Sequence, residues 1–75
     1  MTDSEFLSQF VEAIGADPGS IALDTDLSTV EVWDSVAYLA VMTLVDEQMG
    51  VVLNPEQLVG ATTPASILEM ARNSA

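Results

Sequence analysis

The chain has 75 residues and a formal charge of −11, from twelve acids against a single base, Arg72, and it contains neither cysteine nor histidine. That length holds one small domain, residues 1–75, near the lower limit at which an apolar core suffices without staples. Disulfides and thiolate metal sites are excluded, and the charge repels nucleic acid and anionic membranes while attracting basic protein partners.

Thr2 and Glu5 have the spacing of a capping box. Phe6, Leu7, Phe10, Val11 and Ile14 then recur at helical spacing, and Gly15 is a stop signal followed by the turn residues Asp17-Pro18-Gly19. A first helix is therefore expected over about residues 3–15. The opening MTDSEFLSQF has neither a basic n-region nor an apolar h-region, so no signal peptide is expected.

From Ala16 to Trp33 no period is sustained, but Ile21, Leu23, Leu27, Val30 and Trp33 are apolar anchors that should tie this long loop to the helices. Asp24 and Asp26 resemble the opening of a calcium loop. The match fails at Thr29, where the turn glycine belongs, and at Ser35, where the bidentate glutamate belongs.

Asp34 is placed to cap a second helix ending near Gly50. On a helical wheel Ala37, Tyr38, Val41, Met42, Leu44, Val45 and Met49 form the arc that must face a core. Val36, Leu39, Ala40, Thr43, Asp46 and Glu47 occupy the opposite arc, apolar beside Ser35 and acidic at its far end. The longest apolar run, Val36–Met42, falls well short of the ~20 residues of a membrane span. Val51-Val52-Leu53 is a short apolar crossing. Asn54-Pro55-Glu56-Gln57 opens a short helix that Gly60 closes, and Thr63-Pro64 opens a last one, with Ile67, Leu68 and Ala71 as its apolar stripe, running to about Asn73. The expected fold is all-α, a small four-helix bundle of three longer helices and one short one with a long first loop. The expected setting is a cytoplasmic monomer.

Ser35 stands out. Serine and aspartate at a helix start are ordinary caps. At the first helical position, however, the hydroxyl also lies at the positive end of the helix, where unpaired backbone N–H groups would welcome an attached phosphodiester. No neighbouring side chain can activate it as a nucleophile, so a chemical role requires modification by another protein. The rest of the inventory points away from an enzyme: general acid–base chemistry most often uses histidine, and covalent chemistry needs a base beside its nucleophile.

Taken together, the chain resembles the acyl carrier proteins over about residues 3–73. The carrying residues are Asp34-Ser35-Val36, similar to the family's Asp-Ser-Leu; Asp46-Glu47 followed by Met49-Gly50, where the family has consecutive acids and often Phe-Gly; the Pro55-Glu56 short helix; the Thr63-Pro64 start; and Leu27 as a loop anchor. The resemblance implies a stand-alone carrier, not an enzyme, that bears a 4′-phosphopantetheine arm on Ser35. A phosphopantetheinyl transferase would install the arm from coenzyme A, with Asp34 assisting through magnesium in that complex. Acyl, hydroxyacyl or aminoacyl groups would then be held as thioesters and presented to acyl-loading and acyl-processing enzymes with basic or apolar docking patches. Val36, Leu39, Ala40, Thr43, Asp46 and Glu47 would form the docking face. Carriers of this kind can shelter an acyl chain between helices, where Val41, Val45, Leu58 and Val59 would line the wall; core is the simpler reading of each.

Val32-Trp33 replaces the small pair that fatty-acid carriers have before Asp-Ser, and Ala37 and Ala40 stand where those carriers have acids. These departures imply a dedicated or secondary biosynthetic pathway, with partners reading the site more by shape and apolar contact. A rival reading from another class is an unmodified acidic helical module that docks a partner through its second helix.

Overall fold

The capping box at Thr2 and Glu5 forms in full: Thr2 Oγ1 accepts from the Glu5 N–H at 3.1 Å, and Glu5 Oε1 accepts from the Thr2 N–H at 3.1 Å. It starts helix α1, Asp3–Ile14, in this computed structural model, which describes residues 2–74; residues 1 and 75, the ends of the expected domain, lie outside them. Gly15 ends the helix one residue before the expected boundary, at a positive φ of 75° that glycine reaches without steric cost. Phe6, Phe10, Val11 and Ile14 form the buried stripe, as their spacing requires.

Helix α2, Ser35–Met49, is capped by Asp34 and closed by Gly50 at φ 67°. Its buried stripe is Ala37, Val41, Leu44 and Val45; Tyr38, Met42 and Met49, also expected to face inward, are half-buried at its margin. In the crossing segment Val51 and Leu53 are buried and Val52 is exposed, the alternation of extended backbone. Helix α3, Pro55–Val59, opens on a second full capping box between Asn54 and Gln57. Helix α4, Pro64–Ser74, begins where Thr63 and Ser66 exchange side-chain-to-backbone hydrogen bonds at 3.2 Å. Among the described residues the fold is thus all-α, with four helices and no strand.

α1 packs on both α2 and α4, and α2 packs on α3. The core joins Phe6 and Phe10 of α1 to Val41 and Val45 of α2, Leu58 of α3, and Ile67 and Ala71 of α4, all fully buried. No polar or charged side chain is buried among the described residues. At roughly 1.5–3 kcal/mol for each large apolar side chain buried, this is the term that drives folding.

Residues 15–34 between α1 and α2 are ordered by anchors, as expected. Ile21 and Leu27 are buried, while Leu23, Val30 and Trp33 are half-buried. Backbone bonds reinforce them: the Leu27 N–H donates to the Thr62 carbonyl at 2.9 Å, and the Ala65 N–H donates to the Leu23 carbonyl at 3.0 Å. The loop is therefore stitched to the start of α4. A 3-10 turn, Leu27–Thr29, unforeseen in the sequence, is capped by Asp26, whose carboxylate accepts from the Ser28 N–H at 3.0 Å and the Ser28 hydroxyl at 2.7 Å. These bonds, the hydroxyl's first, hold the Asp26 carboxyl below its ordinary pKa.

One expectation for the core is overturned. Val59, read as core or as wall for a sheltered chain, is 65% exposed. α3 has only five residues; with Leu58 turned inward, its neighbour lies about 100° round the helix and faces outward.

Candidate functional site

The chain turns tightly into α2. The Trp33 N–H donates to the Val30 carbonyl at 3.1 Å and the Asp34 N–H to the Val32 carbonyl at 3.0 Å. Asp34 then takes the extended backbone of an N-cap, and Ser35 is the first helical residue. Oδ1 of Asp34 accepts from both the Val36 and the Ala37 N–H, each at 3.1 Å, and the Asp34 carbonyl accepts from the Tyr38 N–H at 2.9 Å.

This corrects one element of the sequence reading. Two of the N–H groups expected to stand unpaired around Ser35, those of Val36 and Ala37, are taken by the Asp34 carboxylate, so the positive end of α2 already holds an anion.

Ser35 is exposed, and among the described residues its Oγ has no hydrogen-bond partner. The single basic side chain, Arg72, forms an ion pair with Asp3 of α1 at 2.7 Å. No side chain among the described residues is hydrogen-bonded to the Ser35 hydroxyl, so none is in place to take its proton. An accessible serine without an activating partner suits a group installed from outside. It does not suit an internal nucleophile.

Around the serine the surface is apolar. Val36 is 72% exposed and Leu39 is 61% exposed. Thr43, Asp46 and Glu47 are exposed further along α2, while Ala40 is half-buried. Thr43 is partly spent on its own helix, its hydroxyl donating to the Leu39 carbonyl at 3.1 Å. The outward arc is thus apolar near Ser35 and acidic away from it, in the order the sequence gives. Val32, Val52 and Val59 are further exposed apolar side chains that the sequence reading left out of any surface. Alternation around Val51 and Leu53 could have found Val52. Val32 and Val59 carry no such signal.

A family model described as the phosphopantetheine attachment site matches residues 4–71. The chain belongs to that family. Its cofactor is 4′-phosphopantetheine, held covalently, and its role is that of a carrier consistent with the acyl carrier proteins. Carriers of this family are typically non-catalytic, and they interact with a phosphopantetheinyl transferase and with acyl-handling enzymes. No curated protein and no solved structure gives a significant match. Among the described residues no helix is long and apolar enough to cross a membrane.

Proposed function

We propose that Ser35 is the attachment residue and that the chain carries acyl groups for a dedicated biosynthetic pathway. The observation that carries this reading is the exposed, unpartnered Ser35 Oγ at the first position of α2, inside the span matched by the family model. In the attachment step Ser35 Oγ attacks the phosphorus of coenzyme A that bears the pantetheine. A new O–P bond forms, the bond to the adenosine bisphosphate half breaks, and the hydroxyl proton passes to a base of the transferase. When bound, the group supplies the thiol that this cysteine-free chain lacks, on which acyl, hydroxyacyl or aminoacyl units are held as thioesters.

Asp34 has two functions in this reading. Its Oδ1 holds the cap that fixes the serine at the helix end. Oδ2 has no hydrogen-bond partner among the described residues, which leaves it open toward a magnesium ion in the transferase complex. Val36 and Leu39 are the apolar grip for partners, and Thr43, Asp46 and Glu47 set orientation against basic groups. Ala40, half-buried, contributes by being small. With no charge on the first turns of α2 after Asp34, shape and apolar contact provide most of the recognition, so partner affinity should vary little with salt.

The test is intact-protein mass after incubation with coenzyme A, magnesium and a broad-specificity phosphopantetheinyl transferase. One added phosphopantetheine on the wild type and none on Ser35→Ala supports the assignment. A folded wild type that gains nothing refutes it, and leaves the unmodified docking module in its place.

A further inference from the structure

Four aromatic rings run in sequence from the interior of the bundle to the two sides of Ser35. Phe6 and Phe10, both fully buried in α1, have centroids 5.8 Å apart. Phe10 meets Trp33 at 5.6 Å, and Trp33 meets Tyr38 edge-on at 4.8 Å, with an interplanar angle of 70°. Trp33 and Tyr38 are both half-buried and packed against the core. They stand two residues before and three residues after Ser35. At 100° per residue, Tyr38 lies 60° from Ser35 on the helix, between the serine and the buried residue Val45.

We propose that the Trp33–Tyr38 pair shuts this flank of α2, so that whatever Ser35 carries stays outside the helices, and that the cargo is accordingly a short or polar acyl unit rather than a long alkyl chain. The inference rests on Ser35 being the attachment residue. An alkyl chain entering the bundle from Ser35 along this flank would have to part an edge-on aromatic contact whose Trp33 ring itself packs on Phe10, the two rings tilted by 35°. Beyond it, Val41, Val45 and Leu58 are fully buried. Interiors packed to this degree accept added methylenes only by displacing their neighbours, and aromatic pairs in favourable geometry resist separation beyond the area they bury. Three clefts on the described surface lie away from the serine. Two flank the first loop, around Ile21, and the third lies between α1 and α2, around Gln9 and Glu47; none is lined by Ser35, Trp33 or Tyr38. Each methylene moved from water to an apolar site gains about fourfold in equilibrium. A carrier without such a site forgoes that gain for long chains and loses little with short or polar ones.

The experiment compares acetyl and octanoyl forms, made by transferase loading from the corresponding acyl-coenzyme A and verified by intact mass. Failure to load Ser35 would sink the attachment assignment; the cargo inference is judged only on loaded protein. The rate of thioester cleavage by hydroxylamine is then measured for both forms. The octanoyl form should be cleaved less than about threefold more slowly than the acetyl form, the margin being smaller than the gain from one sheltered methylene. Slowing of threefold or more in the wild type overturns the proposal. Tyr38→Ala, and the milder Tyr38→Val should the first fail to fold, opens the flank and should slow octanoyl cleavage about tenfold or more relative to acetyl. Equal cleavage of the two forms in the folded variant would overturn the assignment of the barrier to this pair.

Discussion

Replacing Asp34 separates what the residue does for the fold from what it does for the serine. Its Oδ1 satisfies two backbone donors, Val36 and Ala37, at 3.1 Å each. Removing an N-cap of this kind costs about 1 kcal/mol, within a range of roughly 0.5–2. A domain of this size has on the order of 4–11 kcal/mol in total, so Asp34→Ala should stay folded. At roughly 4–8 °C per kcal/mol for domains of 60–100 residues, the melting midpoint should fall by about 4–8 °C. Asparagine caps as well as aspartate, so Asp34→Asn should melt within a degree or two of the wild type. It nevertheless lacks the charge proposed to meet the transferase-bound magnesium. Losing one hydrogen bond or contact to a charged group costs about 1.5–3 kcal/mol, or roughly tenfold to a hundredfold in modification rate. Circular-dichroism melts and modification time courses on both variants provide the two readouts. If Asp34→Asn melts as low as Asp34→Ala, the cap is not the stabilising contact; if it is modified at the wild-type rate, the charge has no part in attachment.

Val36→Asp should leave the melting midpoint almost unchanged, because the side chain is exposed, yet weaken binding to acyl-processing partners by about tenfold or more, measured by titration calorimetry. Leu58→Ala removes a fully buried side chain from the middle of the core and should cost about 2–5 kcal/mol, enough that denaturant titration finds the variant close to unfolding. Hydrogen bonds from Thr2, the backbone N–H first and the hydroxyl second, hold the Glu5 carboxyl below its ordinary value of 4.5. A lowered folded-state value means that the charged form contributes stability above the unfolded value, lost as pH falls through the folded one. The stability margin of wild type over Glu5→Gln, measured by denaturant titration, should therefore be full above about pH 5 and shrink on acidification below 4.5. With a formal charge of −11, the folded chain repels itself, so adding salt from 10 mM to 0.5 M should raise the melting midpoint; a fall would show that the acids are net stabilising.

What was legible in the sequence was local. Both capping boxes, the Asp34 cap, the glycine stops at Gly15 and Gly50 and the Thr63-Pro64 start each depend on residues within a turn of one another, and each formed as its spacing implied. The buried stripes of α1 and α4 were equally direct, being periodic in 3.6. α2 was harder, because Val36 and Leu39 make it apolar on its outer face too. The long first loop showed its anchors but not its stitching: the bonds from Leu27 to Thr62 and from Ala65 to Leu23 join segments far apart in the chain. The aromatic sequence from Phe6 to Tyr38 was invisible for the same reason, since Phe10 and Trp33 meet only after α1 and α2 have packed. At the site itself the sequence marked Ser35 and the Asp34 cap, but it did not show that one oxygen, Oδ1, takes both the Val36 and the Ala37 N–H and leaves Oδ2 without a partner among the described residues. That is a matter of one side-chain rotamer, and no pattern of residue types encodes it.

The most direct measurement locates the modification on the chain. Cleavage after glutamate releases Val32–Glu47, a peptide bounded by Glu31 and Glu47 in which Ser35 is the only serine. Fragmentation of that peptide from transferase-treated protein should show the phosphopantetheine mass on Ser35 and leave Tyr38 and Thr43 unmodified. The mass on another peptide, or its absence from a folded and fully treated sample, would contradict the account.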